Sequence, residues 1–103
     1  MYRDALRPYK SGRFTKVGRA LTKHPNIVGA RTAQEVTQRF GNQTGINRAA
    51  ADALKHIMRN GVVVTKPHTV FRWVTEFKLP NGLGARFNAE TYEFIGFLGE
   101  AVK

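Results

Sequence analysis

Seven side chains in this 103-residue chain could together carry proton-transfer and phosphate chemistry: His24, His68, Arg72, Glu76, Lys78, Arg86 and Tyr92. Cleaving an RNA phosphodiester without a metal requires a group that takes the 2′-hydroxyl proton and one that protonates the leaving 5′-oxygen. It also requires cations that stabilise the charged phosphorane. These residue types suffice, and no cofactor is needed. Each type is common, so the signal lies in their combination with small size, strong basicity and a shared strand face.

The elements that must position them run from Val70 to Leu98. Residues Val70 to Lys78 alternate as a strand, with Phe71, Trp73, Thr75 and Phe77 on one side and Arg72, Val74, Glu76 and Lys78 on the other. Pro80-Asn81-Gly82 supplies a turn. Strands Leu83 to Asn88 and Tyr92 to Leu98 follow, the last apolar on both faces. A three-residue loop pairs Leu79 with Leu83 and sets Glu76 opposite Arg86. A four-residue loop would place Arg86 opposite Thr75 on the aromatic face, and an unpaired buried Arg is costly. The shorter loop is therefore expected, gathering Arg72, Glu76, Lys78 and Arg86 on one open surface. The plain alternative is a solvated face with one cross-strand ion pair.

Seventeen Lys and Arg residues face seven Asp and Glu, a net charge of +10. The excess is densest before Pro25, and it favours a polyanionic partner. No apolar run reaches the length of a membrane span, and the N-terminus carries no signal-peptide core. Without cysteine there is no disulfide framework or thiolate zinc site, and the three histidines are scattered, so no metal site is expected. Phosphate-loop, dinucleotide and serine-elbow motifs are missing, and Ser11 is the only serine.

Residues 1–14 read as a basic arm that orders on a partner, and 15–103 as a single domain. Lys16 to Lys23 forms a short helix, ended by His24-Pro25. Thr32 and Glu35 form a capping box for a helix to about Phe40, with Ala33, Val36 and Phe40 inward. A third helix runs from near Asn47 to Asn60, with Ala50, Leu54, Ile57 and Met58 as its core stripe. A strand from Val62 to Lys66 stops at Pro67. Helices followed by four short-connected strands imply an α+β fold, with N-terminal helices packed on one face of a four-stranded antiparallel meander.

This layout resembles the barnase–EndoU–colicin–RelE group of ribonucleases. The segments G-R-A-L-T-K-H-P (Gly18 to Pro25), G-L-G-A-R-F-N (Gly82 to Asn88) and Y-E-F-I-G-F-L (Tyr92 to Leu98) are similar to C-terminal toxin domains of bacterial polymorphic and contact-dependent growth inhibition systems. The resemblance implies an endoribonuclease acting on tRNA or other RNA in the target-cell cytoplasm, delivered as part of a larger secreted or cell-surface toxin. It also implies a cognate immunity protein as partner, which the +10 charge of this chain leads one to expect to be acidic, and leaves room for a host cytoplasmic activating protein. Its active site would lie on the exposed sheet face. Carried onto this chain, the catalytic candidates are His24, Arg72, Glu76, Arg86, Thr75 and Tyr92, with Lys16, Lys23, Lys66 and Lys78 binding RNA. Thr75 is the weaker choice because alternation turns it inward. The rival reading is a non-catalytic nucleic-acid-binding module that needs only phosphate contacts and stacking from Tyr92, Tyr9 or Phe14.

Overall fold

The computed structural model describes residues 1–10 and 12–99; Ser11 and residues 100–103, Glu100 among them, lie outside the described residues. The chain is α+β: helices α1 (Tyr2–Ala5), α2 (Lys16–Lys23), α3 (Ala33–Phe40) and α4 (Gln43–Asn60) precede strands β1 (Val62–His68), β2 (Arg72–Lys78), β3 (Gly84–Asn88) and β4 (Phe94–Leu98). The four strands form an antiparallel meander in sequence order, with β1 and β4 at its edges.

Local chemistry explains the helix starts. Thr15 caps α2 by accepting from the Gly18 amide, and Thr32 caps α3 by accepting from the Glu35 amide. The Glu35 carboxylate reaches back to the Arg31 amide, one residue earlier than a standard capping box. The long helix starts at Gln43, not near Asn47, because Asn42 caps it. Gly45 in its first turn reads as loop in sequence, yet a Cβ there would stand 2.1 Å from the Phe40 carbonyl oxygen.

The core lies between the helices and one sheet face. Val17, Leu21, Val36, Ile46, Ala50, Leu54 and Ile57 meet Phe77, Ala85, Phe87, Phe94 and Phe97. Four phenylalanines run edge-to-face across the sheet, from Phe77 through Phe87 and Phe94 to Phe97, at 5.4–5.9 Å between neighbouring ring centroids. An irregularity between Arg86 and Phe87 pairs Arg86 with Gly96 but Phe87 with Phe94. The extra residue in β4 lets Phe94 and Phe97 both face the core, which is why that strand reads as apolar on both faces.

Several expectations are corrected. β2 begins at Arg72 because Thr69 to Phe71 form the preceding turn. Trp73, assigned to the apolar face, is 46% exposed, since the core ends short of it. β1 continues through Pro67 to His68, which an edge strand tolerates. β4 starts at Phe94 rather than Tyr92, whose φ of 65° belongs to the turn. Within the described part of the basic arm, Ala5 is fully buried, and Asp4 accepts from the Phe94 amide at 2.7 Å and from Lys16 Nζ at 2.9 Å.

Candidate active site

The hairpin between β2 and β3 builds the floor of the site. The Leu79 amide donates to the Leu83 carbonyl at 2.8 Å, and Gly82 turns the chain with φ 90°. The resulting register sets Glu76 against Arg86, as the three-residue loop requires. On its other side Glu76 lies opposite Val64 of β1. Gly84 is required at the loop exit, because a Cβ there would meet the Phe77 carbonyl oxygen at 2.3 Å.

Glu76 is not a solvated face residue. It is 3% exposed, and its carboxylate is held by two cations. Arg86 places Nε 2.8 Å and Nη2 2.7 Å from Oε2, and Lys66 Nζ stands 3.2 Å from Oε1. Burial pushes the carboxyl up, but the hydrogen bonds and charges of Arg86 and Lys66 together outweigh it and hold it below its ordinary value. The group is therefore ionised at neutral pH. Above it opens a pocket of about 570 Å³ lined by Lys66, Glu76, Lys78, Arg86, Asn81, Gly82, Leu83, Leu98 and Gly99. Lys78, on the same side of β2, makes no ion pair with any described residue.

Such a pocket concentrates positive charge over one ionised carboxylate on an open sheet face. A family model described as the CdiA C-terminal tRNase toxin domain matches residues 2–99. The chain belongs to that family. No curated protein and no solved structure matches it significantly. The family's description makes RNA the substrate class. No helix among the described residues is long and apolar enough to cross a membrane.

The tRNase toxin domain brings four of the expected residues together: Glu76, Arg86, Lys66 and Lys78. Arg72 is on the Glu76 side of β2 by alternation, but four residues away, about 13 Å along the strand. It is exposed, with a left-handed φ of 66°. Thr75 faces the other side and shares a 3.3 Å hydroxyl contact with Thr65, so it does not reach the pocket. Tyr92 is 57% exposed in the β3–β4 turn, at the sheet end away from Gly84 and Leu98. Lys16 pairs with Asp4, and Lys23 is exposed in the last turn of α2.

His24 also stands outside the pocket. It ends α2, its Nδ1 is buried with no hydrogen-bond partner among the described residues, and burial, then the Lys23 charge, push its pKa down. It is two residues from Asn26, which approaches Gly99 at the pocket rim. His68 is occupied at its Nδ1 by the Val70 and Phe71 amides. Sequence reasoning missed Asn81, Leu83, Leu98 and Gly99 as lining residues, and it missed the Lys66–Glu76 contact. That contact could have been found only from the β1–β2 register, in which Val64 faces Glu76.

Proposed function

We propose that this domain is a metal-independent endoribonuclease toxin that cleaves tRNA at the Glu76–Arg86 pocket and is neutralised by an acidic immunity protein. The observation that carries this reading is the buried Glu76 carboxylate, gripped by Arg86 and Lys66 at the floor of an open pocket with Lys78 at hand. A scissile phosphate entering there meets three cations. Arg86 spends two N–H groups on one carboxylate oxygen and has the rest of its five donors for phosphate oxygens.

In the reaction the 2′-oxygen attacks phosphorus and the bond to the 5′-oxygen breaks, leaving a 2′,3′-cyclic phosphate and a 5′-hydroxyl. Glu76 is the proton acceptor. Its ordinary disadvantage is a low pKa, but that value depends on cations that the phosphate also attracts. As negative charge grows on the phosphorane, Arg86 and Lys66 turn toward it. Glu76 then loses compensation, and its proton affinity rises as the 2′-hydroxyl proton departs. His24, kept neutral by its lowered pKa, is poorly suited to protonate the leaving group at neutral pH; the 5′-oxygen takes its proton from solvent in the open pocket, to which Glu76 then releases the 2′-hydroxyl proton. Inhibition follows the same electrostatics: an acidic protein over this face places carboxylates where phosphates would sit.

The test is tRNA cleavage in EDTA. Cleavage leaving cyclic phosphate ends is expected, and Arg86→Ala should lower the rate about 10²–10³-fold, the scale for removing one transition-state donor. Intact tRNA in EDTA with restoration by a divalent cation would overturn the metal-free mechanism. Full activity in Arg86→Ala would overturn the site.

A further inference from the structure

Strand β1 presents an unusual edge. Val62, Val63 and Val64 are consecutive, and are 68%, 54% and 50% exposed. They lie on an outer strand of the sheet, and the helices bury none of them. The direction of their backbone groups follows from the neighbouring hairpin. Leu79 donates to Leu83, and the Trp73 carbonyl accepts from Ala89, so odd-numbered residues of β2 point their backbone groups toward β3. Even-numbered ones therefore point toward β1, where their partners are Val62, Val64, Lys66 and His68. The N–H and C=O groups of Val63 and Thr65 are left facing outward. Pro67 adds an outward carbonyl but no N–H. Lys66 and Pro67 are residues that discourage edge pairing, and they guard only one end of the strand. The end at Val62 to Val64 is unguarded.

We propose that β1 is a docking edge for an acidic protein partner, which adds a fifth strand alongside Val62 to Thr65. The occupant is argued from charge. A second copy would bring another +10 domain and another Lys66 against this edge, which repulsion opposes. RNA has no strand to pair with Val63 and Thr65. A strand carrying Glu or Asp satisfies the outward amides and covers the three valines. It also meets Lys66, whose ammonium extends from β1 to Glu76 in the pocket. An added strand lies about 4.8 Å from β1. Acidic side chains on its pocket-facing side then compete with Glu76 for Lys66. Docking at the edge therefore inhibits the site beside it. The inhibitory consequence rests on the ribonuclease reading, whereas the docking itself does not.

The test uses the whole chain and synthetic seven-residue peptides as probes. One alternates Val and Glu, one alternates Val and Lys, and one is the Val–Glu peptide methylated on alternate backbone nitrogens so that it cannot pair. Amide hydrogen exchange by NMR is the readout, with tRNA cleavage measured in parallel. The Val–Glu peptide should slow exchange at Val63 and Thr65 by about tenfold or more and lower cleavage, while the other two should do neither. Val63→Pro, which removes an outward N–H but no β1–β2 bond, should abolish the protection and keep basal cleavage. The methylated peptide gives the same answer if that variant does not fold. Equal protection by the Val–Lys or methylated peptide would overturn the proposal. So would protection confined to Arg72 and Arg86, or protection of the edge by self-association without peptide. Absence of cleavage by the free chain, with the exchange pattern intact, would overturn only the ribonuclease reading.

Discussion

At the scale of single residues, the site depends on Glu76 being buried and charged at once. Its carboxyl titrates below its ordinary 4.5 in the fold, so the unfolded chain takes up the proton first as pH falls. The stabilisation is complete above the unfolded value and drains away as pH falls through the folded one. Asp4 behaves alike: burial raises its pKa, but Lys16, the Phe94 amide and Arg7 bring the net value below 3.8. His24 adds a loss in the same direction, beginning below 6.5, because the fold favours its neutral form. Urea denaturation across pH should show stability falling in two stages on acidification, the upper one removed by His24→Gln and the lower one reduced by Glu76→Gln. A second residue-scale expectation concerns Gly96, which lies opposite Arg86 in β4. A Cβ added there meets nothing within 4 Å. Gly96→Val should fold normally but crowd the space over Arg86, lowering kcat/KM for tRNA with little change in Tm. A large drop in Tm with kcat/KM per folded molecule unchanged would contradict this.

Among the elements, what could be read from the sequence was what local rules control. The three-residue hairpin loop and the Glu76–Arg86 pairing follow from turn chemistry and the alternation of β2, and both are present. The capped start of α3 follows from Thr32 and Glu35, whereas the Thr15 cap of α2 is a finding of the structure. What could not be read depends on distant contacts. Nothing local to Met1 through Phe14 announces that Asp4 will accept from Phe94, ninety residues later. The start of α4 was hidden by Gly45, whose role is to let the Phe40 carbonyl approach. Likewise, no local pattern separates Arg72 from the pocket; distance along β2 does. The N-terminal anchor gives the element-scale prediction. Asp4→Ala removes charge-assisted bonds to Lys16 and Phe94 and should cost about 1.5–3 kcal/mol. Hydrogen exchange should then rise at Ala5 and Phe94 together, since α1 touches β4 through this side chain. Faster exchange at the N-terminus alone would mean that the segment contributes nothing to the sheet.

Across the whole molecule, the +10 charge and the proposed pocket would make separable contributions to RNA binding. The general field attracts any polyanion, whereas residues that touch phosphate release counterions one by one. Lys78 is exposed and lines the pocket. Arg39 is also exposed, but it sits on α3, which packs with the helices, and donates to the Val28 carbonyl at 2.6 Å. Both substitutions to Ala lower the net charge equally. If phosphates are held at the Glu76–Arg86 pocket, Lys78→Ala should make the dependence of log K on log salt shallower by about 0.7–0.9, the contribution of one phosphate contact. Arg39→Ala should shift affinity slightly at low salt and leave the slope unchanged. The measurement is tRNA binding by fluorescence anisotropy over a series of salt concentrations, made with Glu76→Gln in both backgrounds so that cleavage does not intervene. Equal slopes for the two variants would mean that the field alone holds the RNA, and the pocket would then have to act on a phosphate it does not itself bind tightly.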